Sequence, residues 1–444
     1  MIKNKDEIMN KTFKRIKSVN GNYNFNLLAL PDTKAFKIEV VFDYGANLER
    51  HYYNKYGKKV YGISHLTEHL CFKSPVGYSS DSLLAELKKR GSRNASTGST
   101  HINYFFKSIM ENMEFGIDAV VKIAFNDFSR ITDEEFESEK NVVISEVGRY
   151  WDDKQTMFSL NTKNTLLGLD KDDNILGSVD ILKEVTLDDC KKIRALTLQE
   201  AKVWFNVTYD PLEHVDEDDI IECIERTLDD INLVEQDVKI GRYEYYRPLK
   251  LIKEPLTIPS EADRTIINMI FETDTNIFVR TLMNNYIASL ANETSLYNII
   301  RDKHGLTYGV TFGKDDIMNI DHTRLIVDVE PDKVDLTLEL IEESIVKSTE
   351  KFTREIFDDL LGNRHLMTTM ARCDPRTYEY LYNVEIDHEE ILKPFDDILE
   401  DNISSIDEIL DMKYLTYEAA RGYLADLSDI ITDKTYSVVM SEKK

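Results

Sequence analysis

The sequence predicts an α+β fold of two structurally related domains, each a mostly antiparallel sheet with helices packed largely on one face. Three observations point there. The chain has 444 residues, too many for one ordinary core. Its first half alternates strand-like runs with segments of helical spacing. Its second half repeats that order. On this reading 1–24 is an N-terminal extension, 25–235 the first domain, 236–262 a linker and 263–444 the related second domain.

The elements follow in order. Strands are expected at Asn26–Leu30 and Phe36–Phe42, separated by a Pro31-Asp32 turn and followed by Gly45. Tyr61–Phe72 reads as a helix. Ser80 to Arg90 has helical spacing in Leu83, Leu84 and Leu87, stopped by Gly91. A strand pair, Arg93–Thr97 and His101–Phe106, comes next around Gly98. Helices are expected at Met113–Ala124 and Asp133–Tyr150, the second entered through the N-terminal signal Thr132-Asp133-Glu134-Glu135. A charged helix is expected at Asp216–Asp230, and Ile231–Ser260, with Pro248, Pro255 and Pro259, reads as the connection between domains. In the second half Thr265–Phe271 parallels the strand at Phe36–Phe42. Ser295–Gly305 and Thr307–Gly313 parallel the helix, turn and strand from Ser82 to Gly98, while Asp332–Lys347 and Thr353–Thr369 parallel the paired helices.

Composition removes several function classes. At 42% hydrophobic and 31% charged the chain is that of a soluble globular protein. A formal charge of −26 argues against nucleic-acid binding, which needs a basic surface, but permits basic peptides and favours solubility. Cys71, Cys190, Cys223 and Cys373 form no Cys-x-x-Cys pair, so neither a disulfide framework nor a thiolate metal site is indicated. The cytoplasm or another reducing compartment fits best. The first residues carry acids early and lead into no apolar segment, so no secretory signal is expected, and no stretch reaches the length of a membrane span.

The chemistry concentrates in His65-Leu66-Thr67-Glu68-His69. On a helix these two imidazoles and the carboxylate point the same way. Histidines four apart can bind one Zn²⁺, and the carboxylate beside them can take a proton from the water that the metal activates. The order His-x-x-Glu-His inverts the commoner zinc-protease signature. Ile63, Leu66, Leu70 and Phe72 supply an apolar surface that suits a site held in a cleft. The later helix brings further carboxylates. Glu139 and Glu146 sit seven apart and share a face, one suited to ligate and the other to orient a histidine. Spacing alone does not choose among Glu135, Glu137, Glu139 and Glu146.

His65-Leu66-Thr67-Glu68-His69, followed at this distance by Glu139-Lys140-Asn141-Val142-Val143-Ile144-Ser145-Glu146, resembles the pitrilysin/insulinase family of zinc metallopeptidases, the inverzincins that include the mitochondrial processing peptidase. The resemblance implies one zinc ion per chain held by His65, His69 and Glu146, with Glu68 as general base and Glu139 as the supporting acid. Arg93–Thr97 and Asn103-Tyr104-Phe105 are similar to the family segment that holds substrate backbone, which implies substrate binding at Asn94 and Ala95. Ile175–Asp180 and Val185–Asp189 also resemble the family, although Leu169–Asn174 lacks the His-Pro that many relatives carry. Arg301 and Tyr308, seven apart, resemble the Arg and Tyr pair that reaches the catalytic centre from another domain. Forked donors and a phenol suit the charge that develops in amide hydrolysis.

No His-x-x-Glu-His occurs in the second half, so the repeat keeps the fold without the metal. Family enclosures usually need four such domains, and this chain supplies about two. The resemblance therefore implies a zinc endopeptidase acting on peptides or unfolded segments inside a chamber closed by dimerisation, either a homodimer or a pairing with a distinct subunit. A non-catalytic assembly subunit on the same fold and a zinc-containing binding module are the alternatives.

Overall fold

The computed structural model describes residues 12–17, 23–99, 101–152, 154–170, 172–231, 252–260, 263–273, 275–289, 292–314, 322–371 and 415–443. Most of the expected linker, and Cys373, lie outside them. The described residues divide into two compact units. The first runs to Arg149 and resumes from Asp172 to Ile231; the second takes Tyr150–Asp170 and the described residues from Ile252 onward.

The first unit is built on a six-stranded sheet of β1 (Thr12–Lys17), β2 (Tyr23–Ala29), β3 (Ala35–Phe42), β4 (Ser92–Thr97), β5 (Ile102–Ile109) and β6 (Val203–Tyr209), in the order β1-β2-β6-β3-β5-β4. Alternation decides the faces. Phe36, Ile38, Val40 and Phe42 of β3 join Phe25, Tyr104 and Phe205 in the buried core. The helix Met113–Ala124 covers that face with Ile117, Val120, Val121 and Ala124, and Glu217–Ile231 packs on it with Ile220 and Ile224. On the opposite face Glu39 accepts hydrogen bonds from Lys37 (3.2 Å), Asn103 (2.6 Å) and Asn206 (3.4 Å).

The second unit holds β7 (Leu256–Ser260), β8 (Thr265–Glu272), β9 (Val310–Lys314), β10 (His322–Val329) and β11 (Ser437–Lys443), in the order β7-β11-β8-β10-β9. Without β1, the first sheet runs β2-β6-β3-β5-β4, the same path. In both, the last strand lies parallel to the first and antiparallel to the second. The internal repeat expected from the sequence is thus present as topology. Ile277–Ala288, Val334–Lys351 and Tyr417–Thr432 form the helical layer, tied to the sheet where Tyr423 donates to Asn284 at 2.6 Å beside Thr323. Lys154–Leu167 lies on the opposite face, where Phe158 and Leu166 pack with Ile258, Ile266, Ile270 and Val439.

Several boundaries differ from the sequence expectation. β1 and the start of β2 fall within 1–24, expected as an extension; β1 pairs antiparallel with β2, Thr12 opposite Ala29 and Lys17 opposite Asn24. Leu256–Ser260, expected as linker, is an edge strand, the place in a sheet where a proline such as Pro259 is tolerated. Lys154–Leu167, expected inside 25–235, belongs to the second unit. Ser295–Gly305 is expected as an ordinary helix, but Tyr297–Lys303 winds as a π-helix.

Arg194 shows how the first core is closed. It is buried, donates to the carbonyl oxygens of Ala124 and, at 2.8 Å, Asn126, and its guanidinium lies 5.2 Å from the Phe42 ring. Arg194→Leu should lower unfolding stability by about 2–4 kcal/mol, because buried carbonyls lose their donors. Guanidinium denaturation is the check; an unchanged midpoint would contradict this account.

Candidate metal centre

Two helices build the site. Ile63–Leu70 buries Ile63, Leu66 and Leu70 completely, which turns the neighbouring stripe of His65, Glu68 and His69 to one side of the core. Asp133–Trp151 starts with a capping box: Thr132 accepts from the Glu135 N–H at 3.2 Å, and Glu135 accepts from the Thr132 N–H at 3.1 Å. It buries Phe136, Lys140, Val143 and Val147, leaving Glu139 and Glu146 on the adjoining stripe.

The two stripes meet. Ligand atoms of His65, His69 and Glu146 lie within 4.8 Å of one another. The His65 and His69 rings stand nearly perpendicular with centroids 4.8 Å apart. His69 Nδ1 is 2.9 Å from Glu139 Oε1, and its Nε2 is 3.6 Å from Glu146 Oε2. A carboxylate can only accept, so Glu139 fixes the proton on Nδ1 and leaves the Nε2 lone pair toward Glu146. Lys73 in turn holds the other Glu139 oxygen at 2.6 Å.

Each group has a distinct electrostatic setting. Burial, with the neighbouring His69 charge, pulls His65 down to about 4, so it is neutral near pH 7. Burial alone would lower His69 too, but the Glu139 hydrogen bond and the Glu68, Glu139 and Glu146 charges outweigh it and raise its pKa. Burial pushes Glu68 up against the Thr97 hydrogen bond and the His69 charge, with Glu146 adding to the rise. Burial would raise Glu139, yet His69 and Lys73 hold it below its usual range.

The donor set suits a divalent ion. Two imidazoles and one carboxylate are a donor set that zinc takes, and they leave one position open. His65 Nδ1 is buried with no hydrogen-bond partner, an unmet group of the sort a bound ion and its shell would settle.

Among the other expected residues, Asn94 and Ala95 lie on β4, the edge of the sheet, with Asn94 exposed and Ala95 half-buried. Ser96 donates to Asn103 Oδ1, which anchors that edge through Asn103 to Glu39. Arg301 and Tyr308 belong to the second unit and lie together: the Arg301 guanidinium is 4.5 Å from the Tyr297 ring and 5.0 Å from the Tyr308 ring, and Tyr308 is 88% exposed. Glu135 is occupied by its capping box and by Ser74 and Ser80; Glu137 pairs with Lys140 at 2.9 Å.

Three residues at the site escape the sequence analysis. Thr97 donates to Glu68 Oε2 at 2.7 Å and Lys73 supports Glu139. Glu49 accepts the Gly62 and Ser64 N–H groups at 2.8 Å each; burial drives its pKa up to about 8, those bonds pulling against it. Thr97 ends the Arg93–Thr97 segment and Lys73 follows the motif by four, so both sat within reach of helix and strand spacing. Glu49, thirteen residues before Gly62, had no local signal.

A metal held here would compete with the proton on His69. Because that pKa is raised, affinity is full above it and should fall about tenfold per pH unit as pH drops below it, while His65 adds no competition until far lower. Chelator competition with zinc between about pH 5 and 8 tests this; a flat profile would contradict it.

The comparisons agree with this geometry. Residues 29–189 match the family model "Insulinase (Peptidase family M16)", which takes in the whole cluster, and residues 214–362 match "Peptidase M16 inactive domain", the half without the motif. No curated protein matches the chain. A protease from Helicobacter pylori superposes with a TM-score of 0.74 at 16% identity, over 97% of this chain and 99% of that one. The periplasmic protease PqqL from Escherichia coli gives 0.71 at 14% over 98% of this chain and 46% of its own, and pitrilysin 0.68 at 15% over 98% and 45%. No helix among the described residues is long and apolar enough to cross a membrane. The two family matches, with the fold shared across nearly the full length, show that this chain belongs to the insulinase, or M16, family of peptidases.

Proposed function

We propose that the chain is a zinc-dependent endopeptidase that cuts extended peptides or unfolded segments. The convergence of His65, His69 and Glu146 carries this reading, because it leaves Glu68 on the same face without a ligand's task. His65, His69 and Glu146 would hold the zinc, with Glu139 orienting His69. When bound, zinc supplies a Lewis acid that polarises water and the scissile carbonyl.

The chain's own residues do the rest. Thr97 occupies Glu68 Oε2, leaving Oε1 to take a proton from the attacking water and return it to the leaving amine. Without a metal, burial raises the Glu68 pKa, and the charge of a bound zinc would draw it back down and favour the ionised base. An extended substrate would add a strand along β4, using the unpaired backbone beside Asn94 and Ala95 and making weak demands on side chains. Supplied by a second chain, Arg301 and Tyr308 would steady the oxyanion or the substrate. The chain spans under half of pitrilysin and of PqqL, which favours a dimer that supplies the missing half. A non-catalytic assembly subunit would have no need of an intact His65, Glu68, His69 and Glu146.

Glu68→Gln should keep its zinc and lose at least about 100-fold in turnover. A mixed peptide library followed by mass spectrometry, with and without added zinc, is the assay; undiminished cleavage by the variant removes Glu68 from the chemistry. Sedimentation of active protein at assay concentration should show a dimer, and an active monomer would contradict the chamber.

A further inference from the structure

The helix that carries both histidines has only eight residues, and a helix that short has no stability of its own in water. Its start also lacks a local cap. Gly62, just before it, has φ +91° and no side chain, and a Cβ there would lie 2.6 Å from the Leu176 carbonyl oxygen. Ser, Thr, Asp and Asn, the usual capping residues, are therefore shut out. Gly177, with φ +66°, backs onto the Tyr61 carbonyl too closely for any side chain. The Asn174–Ser178 loop and the helix start meet backbone to backbone.

Glu49 enters this junction from the helix Leu48–Tyr56. It is 1% exposed. Its Oε2 accepts from the Gly62 N–H and its Oε1 from the Ser64 N–H, so both oxygens are used on the first turn of the motif helix. Burying a carboxyl group is costly, and an apolar residue would fill the space at lower cost. What an apolar residue could not do is hold two N–H groups of the first turn at once.

We propose that Glu49 is a positioning residue for the metal centre, capping the motif helix from a neighbouring helix and fixing the direction in which His65 and His69 leave it. This rests on the reading that those histidines hold a metal. Glu49 acts through the backbone on either side of Ile63, directly before His65. Two bonds to one planar group resist both rotation of the helix about its axis and sliding along it. A shift of either kind would separate His65 and His69 from Glu146, which stands on a different helix.

The test compares full-length wild type, Glu49→Gln and Glu49→Asp by zinc affinity from chelator competition and by the visible spectrum of the Co²⁺ form. Glu49→Gln presents an amide nitrogen to one of the two donors, and should raise the zinc dissociation constant about 10- to 100-fold and shift the Co²⁺ bands. Its metal-free near-ultraviolet circular dichroism should stay that of a folded protein. Glu49→Asp keeps the carboxyl group with a shorter reach, and should fall between the two; if Glu49→Gln does not fold, it decides the matter by the same readouts. Wild-type affinity and spectrum in the folded variants would overturn the proposal even if both melt earlier, since Glu49 would then support only the fold. A wild type that binds no zinc would instead refute the metal reading itself.

Discussion

A divalent ion held by two helices can be bound only if both helices are held first, and the shorter one here cannot hold itself. The first unit meets that constraint by burying one stripe of each helix. Ile63, Leu66 and Leu70 anchor the motif helix, and Phe136, Lys140, Val143 and Val147 anchor the long one. The adjoining stripes then have little choice but to face each other, and they are the stripes that carry His65, His69, Glu139 and Glu146. Chemistry at the centre is a by-product of packing beside it.

Charge is arranged in a sequence around the same centre. Lys73 holds Glu139, Glu139 holds His69, and His69 faces Glu146. Thr97, at the end of the edge strand, holds Glu68. The strand on which an extended peptide would lie and the carboxylate that would move a proton are thus joined by one hydrogen bond. The second unit repeats the path of the sheet without this cluster among its described residues, and brings the Arg301 guanidinium near the Tyr297 and Tyr308 rings, with Arg301 and Tyr297 on a π-helical turn, a feature often found at functional sites.

What could be read from the sequence was what depends on near neighbours. Ser80–Arg90 and Met113–Ala124 have the predicted bounds, because Ser79 and Ser82 form a capping box ahead of the first and apolar spacing defines the second. The shared face of Glu139 and Glu146 followed from helical phase alone. What could not be read depends on distant pairing. β2 lies beside β6 across about 180 residues, and the parallel β7–β11 pair turns a proline-bearing stretch into a strand. β10, His322–Val329, was absent from the expectation although Leu325, Val327 and Val329 alternate, and Lys154–Leu167 gave no sign that its partners lie in the second unit. Glu49 belongs to the same class, since its role exists only once two helices have met.

The most direct test of the account is the zinc K-edge absorption spectrum of the metal-loaded protein. Two imidazoles and carboxylate or water oxygens predict light donors at about 2.0–2.2 Å with imidazole scattering beyond them. A sulfur shell at about 2.3 Å, or a spectrum without imidazole, would place the metal elsewhere and contradict the site.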